Sequence, residues 1–506
     1  MAAEAASGPH SLAAMRERWG PRYRWYLLLS VMVGTIASIM SSTIVNVAIP
    51  DMSHHFALGQ ERAQWISSSF MLAMTTSMLT TPWLLARYGY RRVYVGTMAL
   101  LLAGGVTGGL ADHFLVVLGA RVAEGLAAGV MQPIPAIIVM RAFEPHEQGR
   151  ASGVFGMGAV LAPAVGPALG GVLVDVFGWR SIFFMVVPFC IAGFVLARRF
   201  VPASAPGGLA MQRQARLDWV GLLLATGGTL CLLNGLVELH GGTLPLAAAL
   251  LAGAVAALVL FIGWQRHVAQ RGGEPLMNLA LFGSRNFMLG SIVAFIYGTA
   301  LFGSTYLLPV FMQFGLKMPA TQAGGVLLPA GLVLAGTIAV AGRMVYRVPT
   351  NWLVSGGLAL LAASFALIPT VGLQTASIVL ILWCVLGRIG LGFILPSLNL
   401  AAMNTLDKAL IAQGASAINF LRMLGGAAGV SLCGIVLEWR IAAHGDALAN
   451  PATSPARIAA FDEAFLILAA VCALAIVAAW RLRDTEAVVA ARTTPRPGAA
   501  GESSSR

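Results

Sequence analysis

Four charged side chains, Arg121, Glu124, Arg388 and Arg422, sit inside apolar runs that are each long enough to cross a bilayer. Charge at such depth is costly and needs a partner or a task. Arg121 and Glu124 are three residues apart, so a helix projects both from one face and lets them pair. Glu124 is the one carboxylate within the runs, which makes it the candidate for reversible proton binding, with Arg121 as its partner. Burial and the guanidinium act on that proton in opposite senses, so a change in the surroundings tips the balance. The competing reading is a fixed ion bridge that locks one helix to its neighbour.

Arg388 and Arg422 leave two positive charges in excess, and a cavity lined by them would favour an anion. Arg388 lies near the middle of its run, whereas Arg422 lies about two turns from a run's end, where it can also snorkel or bond helix-end carbonyls. Amides in hydrocarbon need partners too, which singles out Asn46, Gln132, Asn399 and Asn419 as cavity candidates. Trp65 and Met71, with Phe70, Met74, Met78 and Met131, repack easily around varied apolar ligands, although ordinary packing explains any one of them as well. No nucleophile-base set, P-loop or metal-binding spacing is present. All five cysteines, Cys190, Cys231, Cys384, Cys433 and Cys472, fall in or beside apolar runs as small hydrophobes. The expectation is a protein that is no enzyme, with no cofactor, metal or disulfide.

The elements that must hold these residues are membrane spans. Of 506 residues, 58% are hydrophobic and 10% charged, outside the range of a soluble domain. The formal net charge of +12 comes from arginines in short loops rather than from a basic face with interleaved aromatics, so nucleic acid is not expected as a partner. Arg16, Arg18, Arg22 and Arg24 precede the first run, and Arg87, Arg91 and Arg92 follow the second. Arg141 and Arg150 follow the fourth, and Arg198, Arg199, Arg213 and Arg216 the sixth. The alternate loops hold few: Arg62, Arg180, Lys317, Arg440 and Arg457. By the positive-inside rule both termini lie in the cytoplasm. The first run is too long for a signal-peptide core and is expected to stay as an anchor.

The runs, about fourteen of them, divide the chain into a cytoplasmic segment 1–24, a six-helix bundle 25–201, a linker 202–217, a two-helix hairpin 218–265, a linker 266–285, a second six-helix bundle 286–481 and a disordered tail 482–506. The bundles carry traces of one repeat. Gly129 precedes Pro133 as Gly392 precedes Pro396, and Gln148 and Gly149 enter the next helix as Gln413 and Gly414 do. Such repeats mark many secondary transporters. The soluble portions are too short for a nucleotide-binding domain, so an ATP-driven mechanism is not expected.

The fifth run reads GMGAVLAPAVGPALGG, and its Pro163, Gly166, Pro167, Gly170 and Gly171 let helices approach closely and bend. Its GPxxGG, residues 166–171, closely resembles the antiporter motif of the fourteen-helix drug:proton antiporters of the major facilitator superfamily. STIVNVAIP from Ser42, RVAEG from Arg121, ARYGYRR from Ala86, WRSIFF from Trp179, LDWVG from Leu217 and GASAINFLRMLGG from Gly414 are similar to segments of that family, over nearly all of residues 22–481. The resemblance implies an all-α polytopic major facilitator fold of fourteen helices in a bacterial inner membrane. It further implies export of small amphipathic compounds against proton entry, by alternating access around a midplane site in the lipid bilayer. In a cell with two membranes it implies a periplasmic adaptor and an outer-membrane channel as partners.

Arg87, Gly89, Arg91 and Arg92 match the family's loop motif and, with Arg422 and the fifth-run residues, make up the conformational motifs. Ser41 stands where the family commonly has an aspartate, and Glu124 where it usually has glutamine. A carboxylate is thus lost from the first run and gained in the fourth, and Ser41 joins the cavity candidates. A dedicated transporter of an organic anion or metabolite is the alternative that fits the excess arginines. A non-transporting membrane sensor is a further one.

Overall fold

Hydrocarbon offers backbone N–H and C=O groups no partner, so a chain of this composition has to satisfy them within helices. The computed structural model describes residues 12–58, 60–203, 214–241, 243–445 and 454–484, and among them no strand forms. Most of the 202–217 linker and, from residue 485 onward, the expected disordered tail lie outside the described residues.

A short α1 (Leu12–Trp19) leads into α2 (Tyr23–His55), followed by α3 (Gln60–Tyr88) and α4 (Tyr90–Gly109). The next apolar run is split into α5 (Phe114–Met131) and α6 (Ile134–Ala142), and α7 (Pro145–Phe177) and α8 (Ser181–Phe200) complete the first half. A hairpin of α9 (Trp219–Gly241) and α10 (Leu244–Gln270) comes next. The second half consists of α11 (Arg285–Val310), α12 (Ala320–Met344), α13 (Thr350–Leu367), α14 (Ser377–Met403), α15 (Ile411–Ala443) and α16 (Pro455–Trp480). Among the described residues, 11 helical stretches are long and apolar enough to cross a membrane. Helices α3, α4 and α7 are of comparable length, with 29, 20 and 33 residues, but carry serine, threonine or glycine that lowers their hydropathy.

In the first half α2 packs on α3, α7 and α8, and α5 lies between α3 and α4. In the second, α11 runs along α15 and α14 lies between α12 and α13. Two crossings carry most of the contact between the halves, α7 against α12 and α3 against α15, with α7 also touching α14 and α6 touching α15. The hairpin pairs mainly with itself and leans on α15 and α3. Asp218 of the LDWVG segment closes it: one carboxylate accepts from the Gly221 N–H at 2.8 Å, from Trp264 Nε1 at 2.8 Å and from Gln265 Nε2 at 2.7 Å. That caps α9 and holds the far end of α10 in one contact.

The glycine-proline repeat gives two outcomes. Pro133 has no N–H to continue the ladder and separates α5 from α6, whereas Pro396, equally spaced from its glycine, is carried inside an unbroken α14. The turn from α3 to α4 places Gly89 at φ +80°, a conformation that a side chain would oppose.

The face that carries the arginine-rich loops is shut. Arg24 pairs with Glu147 at 2.5 Å and with Glu144 at 3.3 Å. Across the two halves, Arg141 Nη2 donates to the Lys408 carbonyl at 2.8 Å and the Gly149 N–H donates to the Tyr346 hydroxyl at 2.5 Å. Asn286 bonds Arg483, and Thr350 bonds Asp484, which ties the described C-terminal end to the starts of α11 and α13. The seam itself is backbone against backbone. A Cβ on Gly149 would lie 2.5 Å from the Gly342 carbonyl oxygen, and one on Gly342 would lie 2.8 Å from Gly153 Cα. Only glycine permits that approach of α7 to α12.

Two expectations about the last spans need correction. Helix α15 continues to Ala443 and α16 begins at Pro455, so Arg440 and Arg457, expected in a loop, are helical, as are Glu438, Asp462 and Glu463. Arg440 and Glu463 form an ion pair that joins the two helices. Glu124 is therefore not the one carboxylate in a long helix, but among the described residues it is the buried one, with a side-chain exposure of 0%. Hydropathy marks the apolar slab; a helix that leaves the slab keeps its hydrogen bonds and can carry charge.

Replacing Gly342 with valine should prise α7 from α12. In a cysteine-free background, labelling of Ser152→Cys by a membrane-impermeant thiol reagent at the arginine-rich face should then rise several-fold. Equal labelling with glycine and valine would mean that this approach does not hold the face shut.

Candidate functional site

Below the seam, a cavity of about 380 Å³ lies between the two halves. Helices α2, α3, α6 and α7 wall one side, and α11, α12, α14 and α15 wall the other. Its size and its mixture of apolar and sparse polar groups suit a small organic ligand. Met71, Met74, Met423, Phe155 and Phe302 supply adaptable apolar surface, and Ser152 and Pro163 of α7 lie in the same wall. Gln132, Tyr297, Asn399 and Asn419 supply hydrogen-bonding groups. The charges are Arg388 and Arg422, with no acidic side chain among the described lining residues.

The local fold sets these groups in place. The break at Pro133 leaves Gln132 as the cap between α5 and α6, facing the cavity. Arg422 Nη2 donates to Asn419 Oδ1 at 2.7 Å, and Asn419 Nδ2 donates to the Ala415 carbonyl at 2.8 Å. The amide thus anchors the guanidinium to the helix below it. Tyr297 of α11 lies within electrostatic reach of both arginines.

Met71, Gln132, Arg388, Asn399 and Asn419 accordingly line the cavity, whereas Ser41, Asn46 and Trp65 do not. Ser41 is turned into the first half at 1% exposure. Asn46 is exposed and accepts from Ser67 Oγ at 2.7 Å, which links α2 to α3, and Trp65 is 48% exposed. Arg422, whose place near a run's end is compatible with snorkelling, is a wall residue. Tyr297 carries no sequence signal that separates it from the aromatic anchors of other spans.

A second polar site is sealed inside the first half. Arg121 Nη1 and Glu124 Oε2 are 2.5 Å apart, with side-chain exposures of 1% and 0%. The guanidinium also donates to the Ser41 carbonyl at 3.2 Å, the Ser41 hydroxyl at 3.1 Å and the Ile66 carbonyl at 3.2 Å, and lies 4.3 Å from the centre of the Phe70 ring. Ser41 Oγ donates in turn to Glu124 Oε2 at 3.1 Å. The cluster therefore ties α5 to α2 and α3. Glu124 Oε1 and Arg121 Nη2 have no hydrogen-bond partner among the described residues, and neither residue lines the cavity. Chemically this is a carboxylate with one oxygen engaged and the other free to take a proton.

The motif residues surround both sites. Gly166 and Gly170 of α7 face Thr43 and Ile44 of α2, and Gly171 faces open space; the Pro167 side chain lies outside the described residues. Arg87 Nη1 donates to the Ala215 carbonyl at 2.6 Å and Arg91 Nη2 to the Arg198 carbonyl at 2.5 Å, so both pin the α3–α4 turn, while Arg92 is exposed.

Two helical halves with a cavity between them match a known family. The model of the Major Facilitator Superfamily covers residues 31–430. The chain belongs to that superfamily. It is a multi-span membrane transporter and not an enzyme. Its relatives include the "Multidrug resistance protein B homolog" of Mycobacterium tuberculosis, 29% identical over 419 residues, 82% of this chain and 77% of that protein. The lincomycin resistance protein LmrB of Bacillus subtilis is 25% identical over 410 residues, 80% of this chain and 84% of the relative. The crystal structure of the human organic anion transporter MFSD10 shares the fold with a TM-score of 0.64 at 15% identity, over 90% of this chain and 99% of that one.

In this facilitator, removing one partner of the buried pair strands the other. Arg121→Met should lower the stability of the purified protein by roughly 3–5 kcal/mol, and the double variant Arg121→Met/Glu124→Leu should recover most of the loss. Thermal unfolding in detergent checks both. A single variant as stable as the double would mean that the two charges are not coupled.

Proposed function

We propose that this facilitator exports small amphipathic compounds, drugs among them, across a bacterial inner membrane in exchange for protons. In this reading it is a fourteen-helix member arranged as six plus two plus six, with both termini in the cytoplasm. The observation that carries the reading is the cavity between the halves, shut at the arginine-rich face by the Gly149–Gly342 seam. The positive-inside rule makes that face cytoplasmic. With that face shut, the way out of the cavity has to lie on the opposite side, the side to which an exporter releases its cargo. Rocking about the α7–α12 and α3–α15 crossings gives alternating access. The methionine and aromatic walls suit cargo of varied shape, and the drug-resistance names of the relatives support the same cargo class.

Proton coupling is assigned to Glu124, with Arg121 as its counter-charge. Protonation removes one charge of the pair and loosens what holds α5 to α2. Helix α2 is also the one that packs on Gly166 and Gly170 of α7, the helix that forms the seam. The carboxylate and the gate thus share one intervening helix. In a cell with two membranes, a periplasmic adaptor and an outer-membrane channel complete the route. A dedicated transporter of an organic anion is the second reading, favoured by Arg388 and Arg422 in the cavity wall.

Pump-deficient bacteria expressing the chain should accumulate less of at least one of ethidium, Nile red and carboxyfluorescein, and a protonophore should abolish the difference. Unchanged accumulation of all three, with the protein in the membrane, rejects proton-driven export. Glu124→Gln should remove the protonophore-sensitive part. Adding Ser41→Asp should restore some of it, because the Ser41 hydroxyl already touches Glu124 Oε2. Wild-type export with unaltered pH dependence in Glu124→Gln would take that residue out of the coupling.

A further inference from the structure

Most arginines of the described chain that pack against other helices meet an acid or a backbone carbonyl. Arg121 has Glu124, Arg440 has Glu463, Arg180 has Asp112, and Arg457, buried at 0% exposure, donates to the Phe314 carbonyl at 3.4 Å. The two in the cavity wall are different. Arg422 is bonded to a neutral amide, Asn419 Oδ1, and Arg388 makes no hydrogen bond or ion pair with any described residue. They project from neighbouring helices, α14 and α15, with Tyr297 of α11 in reach of both. Two guanidinium charges in the wall of one partly desolvated pocket, with no acid in the described lining, lack a counter-charge. A guanidinium is also the side chain best shaped to take a carboxylate, sulfonate or phosphate through paired N–H bonds.

We propose that Arg388 and Arg422 form an anion-binding head in the cavity, and that its ligand is an amphipathic organic anion whose apolar body rests on Met71, Met74 and Met423. The inference rests on reading this cavity as the transport site. It narrows the cargo by sign, since a cationic amphiphile would add a third positive charge to the same pocket. Asn419 positions Arg422 for the head group, and Gln132 and Asn399 line the pocket as further hydrogen-bond partners. Small inorganic anions satisfy the arginines but leave the methionine wall unfilled.

The test is calorimetric titration of the full-length protein in lipid nanodiscs with three ligands that share one aromatic body: 8-anilinonaphthalene-1-sulfonate, its sulfonamide, and the matching trimethylammonium compound. The sulfonate should bind at least about tenfold more tightly than either of the others. Arg388→Gln and Arg422→Gln should each remove most of that preference, and sodium sulfate should displace the sulfonate only weakly. Equal or tighter binding of the amide or the cation, no binding of the sulfonate, or a preference that survives both substitutions overturns the proposal. Proteoliposome flux separates this from the transport reading. Arginine-dependent sulfonate binding without flux leaves the anion site standing and sinks the transport reading, whereas ethidium export without an anion preference does the reverse.

Discussion

A guanidinium cannot be left dry in a hydrocarbon slab, and this chain meets that constraint in two ways. Arg121 is enclosed by protein and compensated by a carboxylate, two backbone carbonyls, a hydroxyl and an aromatic face. Arg388 and Arg422 are instead turned toward the cavity, where solvent or a ligand can answer their charge. The first solution fixes three helices of one half together. The second makes the space between the halves polar at one place and apolar around it, and so gives it a direction in which a ligand can lie.

The split between the two solutions also separates recognition from coupling. The groups that would touch cargo lie on both halves, whereas the titratable carboxylate is confined to one. Glu124 is sealed in the conformation described, so any exchange of its proton with water requires one of the helices that enclose it, α4 among them, to shift. Ser41 brings a hydroxyl from α2 to the place where Glu124, from α5, brings the acid. In space the two positions are one site, although they lie far apart along the chain.

Much of this was legible in the sequence, because charge and amide groups in apolar runs are conspicuous whatever the fold. Arg388, Gln132, Asn399 and Asn419 could be named from depth and polarity alone, and they line the cavity. Asn46 satisfies the same criteria, Ser41 is singled out by its place in the family motif and Trp65 by its adaptable ring, and none of the three lines the cavity. In a helix that is apolar on every side, periodicity does not tell the cavity face from the packed one. Tyr297 was invisible for the complementary reason, since its importance comes from two arginines contributed by other helices. Arg457, expected in a loop, is the third residue of α16, outside the apolar run, in a turn that tertiary packing buries completely.

The seam between Gly149 and Gly342 has a thermodynamic character of its own. Where two backbones meet without side chains, closing the contact freezes no rotamers and opening it releases none. At these two positions the gate's equilibrium carries no side-chain entropy. Beside the packing of the helices stand a few hydrogen bonds, such as Gly149 to Tyr346 and Arg141 to Lys408, each worth on the order of 1 kcal/mol net. Small terms of this kind lie within the range that a bound ligand can shift.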